Sequence, residues 1–168
     1  MSQMSIADLI YRHGEYVVRG EVEEDPSYQQ IIPQIVLRCG QKVFIHKIPS
    51  TGSEGRLHDL WPIFLGGHVD HGDGDIEEAA QREFEEEINY GGNIIEKNFL
   101  GVVKLHTNPV DQVHTGLVWE YWGDREEFSD TGDKGIAEGK FIHLSELPNY
   151  EPNMTHWSRA FYPFLISL

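Results

Sequence analysis

The sequence predicts one mixed α/β (α+β) domain spanning residues 1–168, and three observations predict it. First, 168 residues are enough for one hydrophobic core and too few for two. Second, short β-rich runs recur along the chain, each bounded by Gly, Pro, Asn, Asp or Ser. Third, two stretches carry helical rather than strand periodicity, beginning near Asp75 and near Met154. No repeat, low-complexity tract or long linker interrupts the pattern.

The elements follow in order. Residues 15–22 read as a short strand, and residues 23–27 as a polar turn around Pro26. Residues 31–37 and 42–48 are β-rich runs on either side of Cys39-Gly40-Gln41, which predicts a hairpin. Residues 49–55 form a Gly/Ser/Thr loop, residues 60–65 an apolar and aromatic run, and residues 66–74 a loop rich in Gly, His and Asp. Asp75 is a good helix N-cap, with Glu78 placed for a capping box. That helix should end near Ile88, closed by a left-handed Asn89 before Gly91-Gly92. Residues 99–105 and 113–122 are further strands, and residues 123–138 are a polar connection. Residues 140–144 are the last strand, and residues 154–168 a helix that Pro163 should break or kink.

Composition narrows the functional classes. Thirteen basic residues face 28 acidic ones, a net charge of −15. That balance excludes nonspecific binding to a nucleic-acid polymer, which needs clustered Lys and Arg, and adhesion to an anionic membrane. No apolar run approaches the ~20 residues that cross a bilayer, and no secretory signal is visible near Met1. The single cysteine, Cys39, fits a reducing, cytoplasmic setting.

The helix from Asp75 carries the chemistry. Ala80, Phe84 and Ile88 recur every four residues and form an apolar stripe for the core. Glu83 and Glu87 stack on an adjacent face, with Glu86 about 60° to one side. Like charges at this spacing destabilise an exposed helix by about 0.2–0.5 kcal/mol per pair, and the helix dipole opposes them near the C-terminal end. A hard divalent cation with oxygen ligands would compensate both effects; a solvated acidic face is the plain alternative. Gly66-Gly67, upstream, allows close backbone approach to a metal or phosphate, or simply makes a tight turn.

Together these residues resemble the signature of the Nudix hydrolases. Gly67 matches its first glycine, and Arg82-Glu83-Phe84-Glu85-Glu86-Glu87 matches its central run position by position. The chain departs in three places. Asp73 stands for the first Glu, the loop from Asp73 to Arg82 is one residue longer, and Asn89 replaces the last Gly. Residues 140–147 resemble the closing strand and helix start of the family.

The resemblance implies an α/β/α sandwich with a mixed β-sheet. It implies a hydrolase cleaving the pyrophosphate bond of a nucleoside diphosphate linked to another moiety, with Mg²⁺ (or Mn²⁺). Glu83, Glu86 and Glu87 would be catalytic and metal-binding, with the Gly67 carbonyl as a further ligand. Arg82 would orient them through charge-assisted hydrogen bonds. The base is a helix glutamate or a loop carboxylate; Glu138 is the leading loop candidate, with Asp133 and Glu120 beside it. Arg56, His58 and His68 are candidates for contact with an anionic substrate, against a reading as ordinary loop residues. His46, His106 and His114 stay unassigned. Trp61, Phe64, Trp119, Tyr121 and Trp122 read as core rather than a base-stacking platform. The partner is a small-molecule diphosphate, and the resemblance allows a homodimer. Two other readings stand beside it. The isopentenyl diphosphate isomerases share the fold and present Cys-Gly-His where this chain has Gly66-Gly67-His68. A binding module that lost catalysis is the third.

Overall fold

The computed structural model describes residues 5–49, 57–130, 136 and 138–168. In chain order the elements are α1 (Ile6–His13), α2 (Arg19–Val22), β1 (Gln30–Cys39), β2 (Lys42–Lys47), β3 (Leu65–Gly66), α3 (Ile76–Glu87) and β4 (Ile88–Tyr90). They continue with β5 (Ile94–Val103), α4 (Pro109–Val113), β6 (His114–Gly123), β7 (Phe128–Asp130), β8 (Glu138–His143), α5 (Leu147–Tyr150) and α6 (His156–Ser167).

The main sheet runs β5-β6-β1-β2-β8, with the short β3 also paired to β1. β1 and β6 are parallel, from Gln30 opposite His114 to Arg38 opposite Trp122, and the other pairs are antiparallel, so the sheet is mixed. β4 and β7 form a separate two-stranded ribbon. The predicted hairpin is present: Cys39 pairs with Lys42 across Gly40-Gln41.

Alternation along the strands divides the core into two layers. Ile35, Leu37, Phe44, Leu65, Leu117, Trp119 and Tyr121 face one side, where they pack with Ala80, Phe84 and Ile88 from the α3 segment. Val36, Val43, Ile45, Val118 and Ile142 face the other, with Phe161, Tyr162 and Leu165 of α6. The predicted stripe on α3 is therefore the buried one. The sandwich follows from a sheet apolar on both faces, each covered by a helix. The aromatic run reads correctly as core: Phe64, Trp119 and Tyr121 are buried, and Trp61 packs against the α6 layer.

Four expectations are corrected. Residues 15–22 are not a strand: Gly14 to Val18 is extended but exposed and unpaired, and α2 follows. Val17-Val18 suggested a strand, but only Val22 is buried there, so no sheet face is formed. Ahead of it lies α1, whose Ser5 cap accepts the Asp8 N–H while Asp8 accepts the Ser5 N–H. Second, Asn89 is not a left-handed cap. Ile88 is already extended at φ −136° and ψ 143°, and the chain passes directly into β4. Third, the 123–138 connection contains β7, recruited by β4. Fourth, α6 continues through Pro163 unbroken, because Phe161, Tyr162 and Leu165 hold it to the sheet and Pro163 removes only one internal hydrogen bond.

Candidate functional site

The predicted N-cap fixes where α3 begins. Asp75 Oδ1 accepts the Glu78 N–H at 2.8 Å, while the Glu78 carboxylate reaches back to the Gly74 N–H at 3.0 Å rather than to the cap. Buried Ala79 and Ala80 let the helix lie close to the sheet. That position sets its glutamates against the turn after β3.

Two glycines in that turn have separate reasons. Gly66 has φ +152°, and a Cβ there would collide with the carbonyl oxygen of Pro33 on β1. Gly67 lies against Glu83, and a Cβ would fall 2.6 Å from the Glu83 Cδ. Glu83 is 4% exposed, pressed into the space that a side chain at 67 would fill. Glu87 Oε2 accepts the Gly66 N–H at 2.8 Å. The glycine turn and the glutamate face of the helix are in contact.

Arg82 organises it. Its Nε donates to Asp73 Oδ1 at 2.8 Å and its Nη2 to Asp73 Oδ2 at 3.0 Å, a two-pronged contact. Nη1 donates to Glu83 Oε1 at 2.7 Å and Glu86 Oε1 at 3.3 Å, and Nη2 also reaches the His68 carbonyl at 2.9 Å. Asp73, whose role the sequence leaves unsettled, is thus the anchor of the arginine. The Arg82 hydrogen bonds, with one from the Asp70 N–H, hold the Asp73 carboxyl below its usual range despite burial. Its hydrogen bonds to Asp73, Glu83 and Glu86 push the Arg82 guanidinium up.

His68 continues the site outward. Its Nε2 lies 3.2 Å from Gln30 Oε1 and its ring 5.5 Å from that of His114. Burial, with Arg19 and His114 nearby, brings its pKa down to about 4, so the ring is neutral at pH 7. His114, unassigned from the sequence, is brought here by the parallel pairing of β6 with β1.

The other candidates lie elsewhere. Glu138 begins β8, is 62% exposed at the side chain and stands 3.8 Å from Lys47. Lys47 also pairs with Asp59 at 3.0 Å, the residue after His58. Glu138 and the half-buried His58 turn therefore share the β2–β8 corner, whereas His68 sits with α3. Arg56 and Asp133 lie outside the described residues. Glu120 is corrected. It points to the α6 face, is 5% exposed, and is bound by Arg38 Nη1 at 2.8 Å and Trp122 Nε1 at 2.7 Å. A strand position alone did not say which face it takes.

The donor set can be tested against a divalent cation. Glu83, Glu86, Glu87 and the Gly67 backbone offer only oxygen, the chemistry that Mg²⁺ and Mn²⁺ accept. Among the described residues no three His, Cys, Asp or Glu side chains form a ready-made cage. Mg²⁺ does not need one, since it takes one or two carboxylates together with water and substrate phosphate oxygens. The residues fit the ion.

This combination defines a class: a mixed-sheet sandwich whose glycine turn meets an Arg-Glu-rich helix. Comparison with known proteins agrees. The family described as NUDIX domain matches residues 33–165, most of the chain. Protein YmaB of Bacillus subtilis (strain 168) is 30% identical over 138 residues, covering 77% of this chain and 66% of that protein, just under two thirds of its length. The crystal structure of Tm1382, a candidate Nudix hydrolase, superposes with a TM-score of 0.78 at 28% identity, over 96% of this chain and 83% of that one. A Francisella tularensis bifunctional NMN adenylyltransferase/ADP ribose pyrophosphatase, solved with AMP and a Mn ion, gives a TM-score of 0.64 at 16% identity. It covers 83% of this chain and 41% of that one, and shows the shared fold. The chain belongs to the Nudix domain family.

Proposed function

We propose that this protein is a Mg²⁺-dependent hydrolase, able to use Mn²⁺, that cleaves the pyrophosphate bond of a nucleoside diphosphate linked to another moiety. One observation carries the reading: Arg82 and the Gly66-Gly67 turn hold Glu83, Glu86 and Glu87 on one side of α3. Arg82 joins two of these carboxylates, and the gathered oxygens are of the kind a hard divalent cation accepts. Bound Mg²⁺ supplies charge neutralisation for the diphosphate oxygens. The chain does the rest. Glu83, Glu86 and Glu87, with the Gly67 carbonyl, hold the ion. Arg82 fixes the direction of two of these carboxylates while Asp73 fixes Arg82. A carboxylate takes the proton of the attacking water, from α3 or from Glu138 at the start of β8. His68, neutral, can donate a hydrogen bond to the substrate, and His58 and Arg56 remain candidates for contact with it.

The Francisella neighbour, described as a bifunctional NMN adenylyltransferase/ADP ribose pyrophosphatase, shares the fold. An isomerase reading has no support: Cys39 lies five residues beyond Gln34, the partner of Gly66, roughly 16 Å along β1.

The test is a Mg²⁺-supplemented screen of nucleoside diphosphate derivatives with product release measured. Glu86→Gln should reduce turnover by at least ~10²-fold with the fold retained by circular dichroism, the scale of losing a transition-state electrostatic group. Equal turnover in that variant, or no cleavage by the wild type, overturns the reading.

A further inference from the structure

The chain N-terminal to β1 lies outside the stretch matched by the family, yet it reaches the motif loop. It is fastened at both ends. Ile6 and Ile10 of α1 pack against the core layer that α3 covers, and Val22 of α2 is buried. The Gly14 N–H closes α1 by donating to the Ile10 carbonyl at 2.6 Å. From there the chain runs extended to α2, and Tyr16 stands in the middle of that short tether.

Tyr16 meets the turn from Asp70 to Asp73. Its Oη donates to the Asp73 carbonyl at 3.4 Å, and its ring meets that of His71 at 5.0 Å. The residue is 56% exposed, so it contributes little to the core. The turn itself has its own short bonds: the Asp73 N–H donates to the Asp70 carbonyl at 2.9 Å, and the Asp70 N–H to Asp73 Oδ2 at 2.7 Å. Asp70, His71 and Gly72 are exposed, so burial does not hold the turn in place. Segments with few buried contacts open most easily. Asp73 is therefore gripped twice, at its carboxylate by Arg82 and at its main chain by Tyr16. Arg82 in turn holds Glu83 and Glu86. A turn that drifts takes Asp73 with it and loosens the arginine that directs both glutamates.

We propose that Tyr16 is a positioning residue of the site: the N-terminal arm holds the Asp70–Asp73 turn against Arg82 and so keeps Glu83 and Glu86 aimed at the ion. This rests on the hydrolase reading above and adds to it the part of the chain that keeps those carboxylates in place.

Calorimetric titration of the full chain with Mg²⁺, well below the melting temperature, tests it. It reads the affinity of the folded protein, which a merely stabilising contact leaves unchanged. Tyr16→Ala should weaken Mg²⁺ binding by about fivefold, the scale of one hydrogen bond. Tyr16→Phe, which keeps the ring on His71, should lose less. Tyr11→Ala, at an 84% exposed tyrosine on α1, should bind as the wild type does. In an Asp73→Asn background, where the amide cannot accept both Arg82 hydrogens, Tyr16→Ala should cause no further loss, because the two act through one contact. Unchanged affinity in Tyr16→Ala, an equal loss in Tyr11→Ala, or a full additional loss in the Asp73→Asn background overturns this proposal alone. A wild type that takes up no Mg²⁺ overturns the hydrolase reading together with it.

Discussion

The contact between Asp73 and Arg82 sets the geometry of the glutamates through a single side chain. Asp73 is ionised in the fold, its side chain 6% exposed and its pKa lowered by Arg82. A lowered folded pKa contributes stability that is fully present above the unfolded value of about 3.9 and is lost as pH falls through the folded value. Chemical denaturation at decreasing pH should therefore show an acid limb starting near pH 4, and Asp73→Asn should flatten it. An unchanged limb in that variant would show that the pair contributes nothing to folding. At this scale the sequence was partly legible. Glu83, Glu86 and Glu87 could be put on one face from helical phase, because the angle between positions on a helix is fixed, and Arg82 came from the resemblance. Asp73 and His114 could not, because their partners come from a loop path and from a neighbouring strand.

Elements obey the same division. α3 was readable from its cap and its four-residue stripe, and it starts where Asp75 places it. Its end was misread, because whether Asn89 turns left-handed or extends depends on β7, a partner far along the chain. α1 and α4 were missed, although Ser5 with Asp8 and Asn108 with Pro109 mark their starts. Both are short enough that tertiary contact, not propensity, decides them. The β1–β6 pair carries a buried ion pair, Arg38 with Glu120, 6% exposed on both sides and lying under the Trp122 ring. Glu120→Ala should destabilise the fold by about 3–5 kcal/mol, because it leaves the Arg38 charge buried without compensation. Replacing both residues with apolar ones of similar volume should cost far less. Urea denaturation of the two variants measures the difference, and a single-site loss no larger than the double would contradict the argument.

For the molecule as a whole, acidity and ion binding are linked. A net charge of −15 disfavours the compact state by self-repulsion. An ion that binds only the folded chain stabilises it by about 2.7 kcal/mol at one hundred times its dissociation constant. Thermal melts should rise with added Mg²⁺ and fall back on chelation, and Glu86→Gln should blunt the rise. A melting temperature indifferent to Mg²⁺ would count against ion binding at α3. The mixed α/β (α+β) class was legible from alternating β-rich and helical segments, and the mixed sheet only from the family resemblance. The strand order was not, because no local pattern says that β1 lies between β2 and β6.

That placement has a consequence for how the chain becomes a protein. β1 can close its hairpin with β2 as soon as both exist, but its parallel neighbour is β6, and the residues between Gln30 and His114 must be gathered before the two meet. Long-range parallel pairing is slow, because loop-closure entropy is lost before the contacts compensate it. In the interval the apolar flanks of β1 stand uncovered, and nascent chains are most prone to sticking at that stage. Crowded or overheated synthesis should therefore lose this protein to aggregation before β6 docks, rather than by unfolding afterwards.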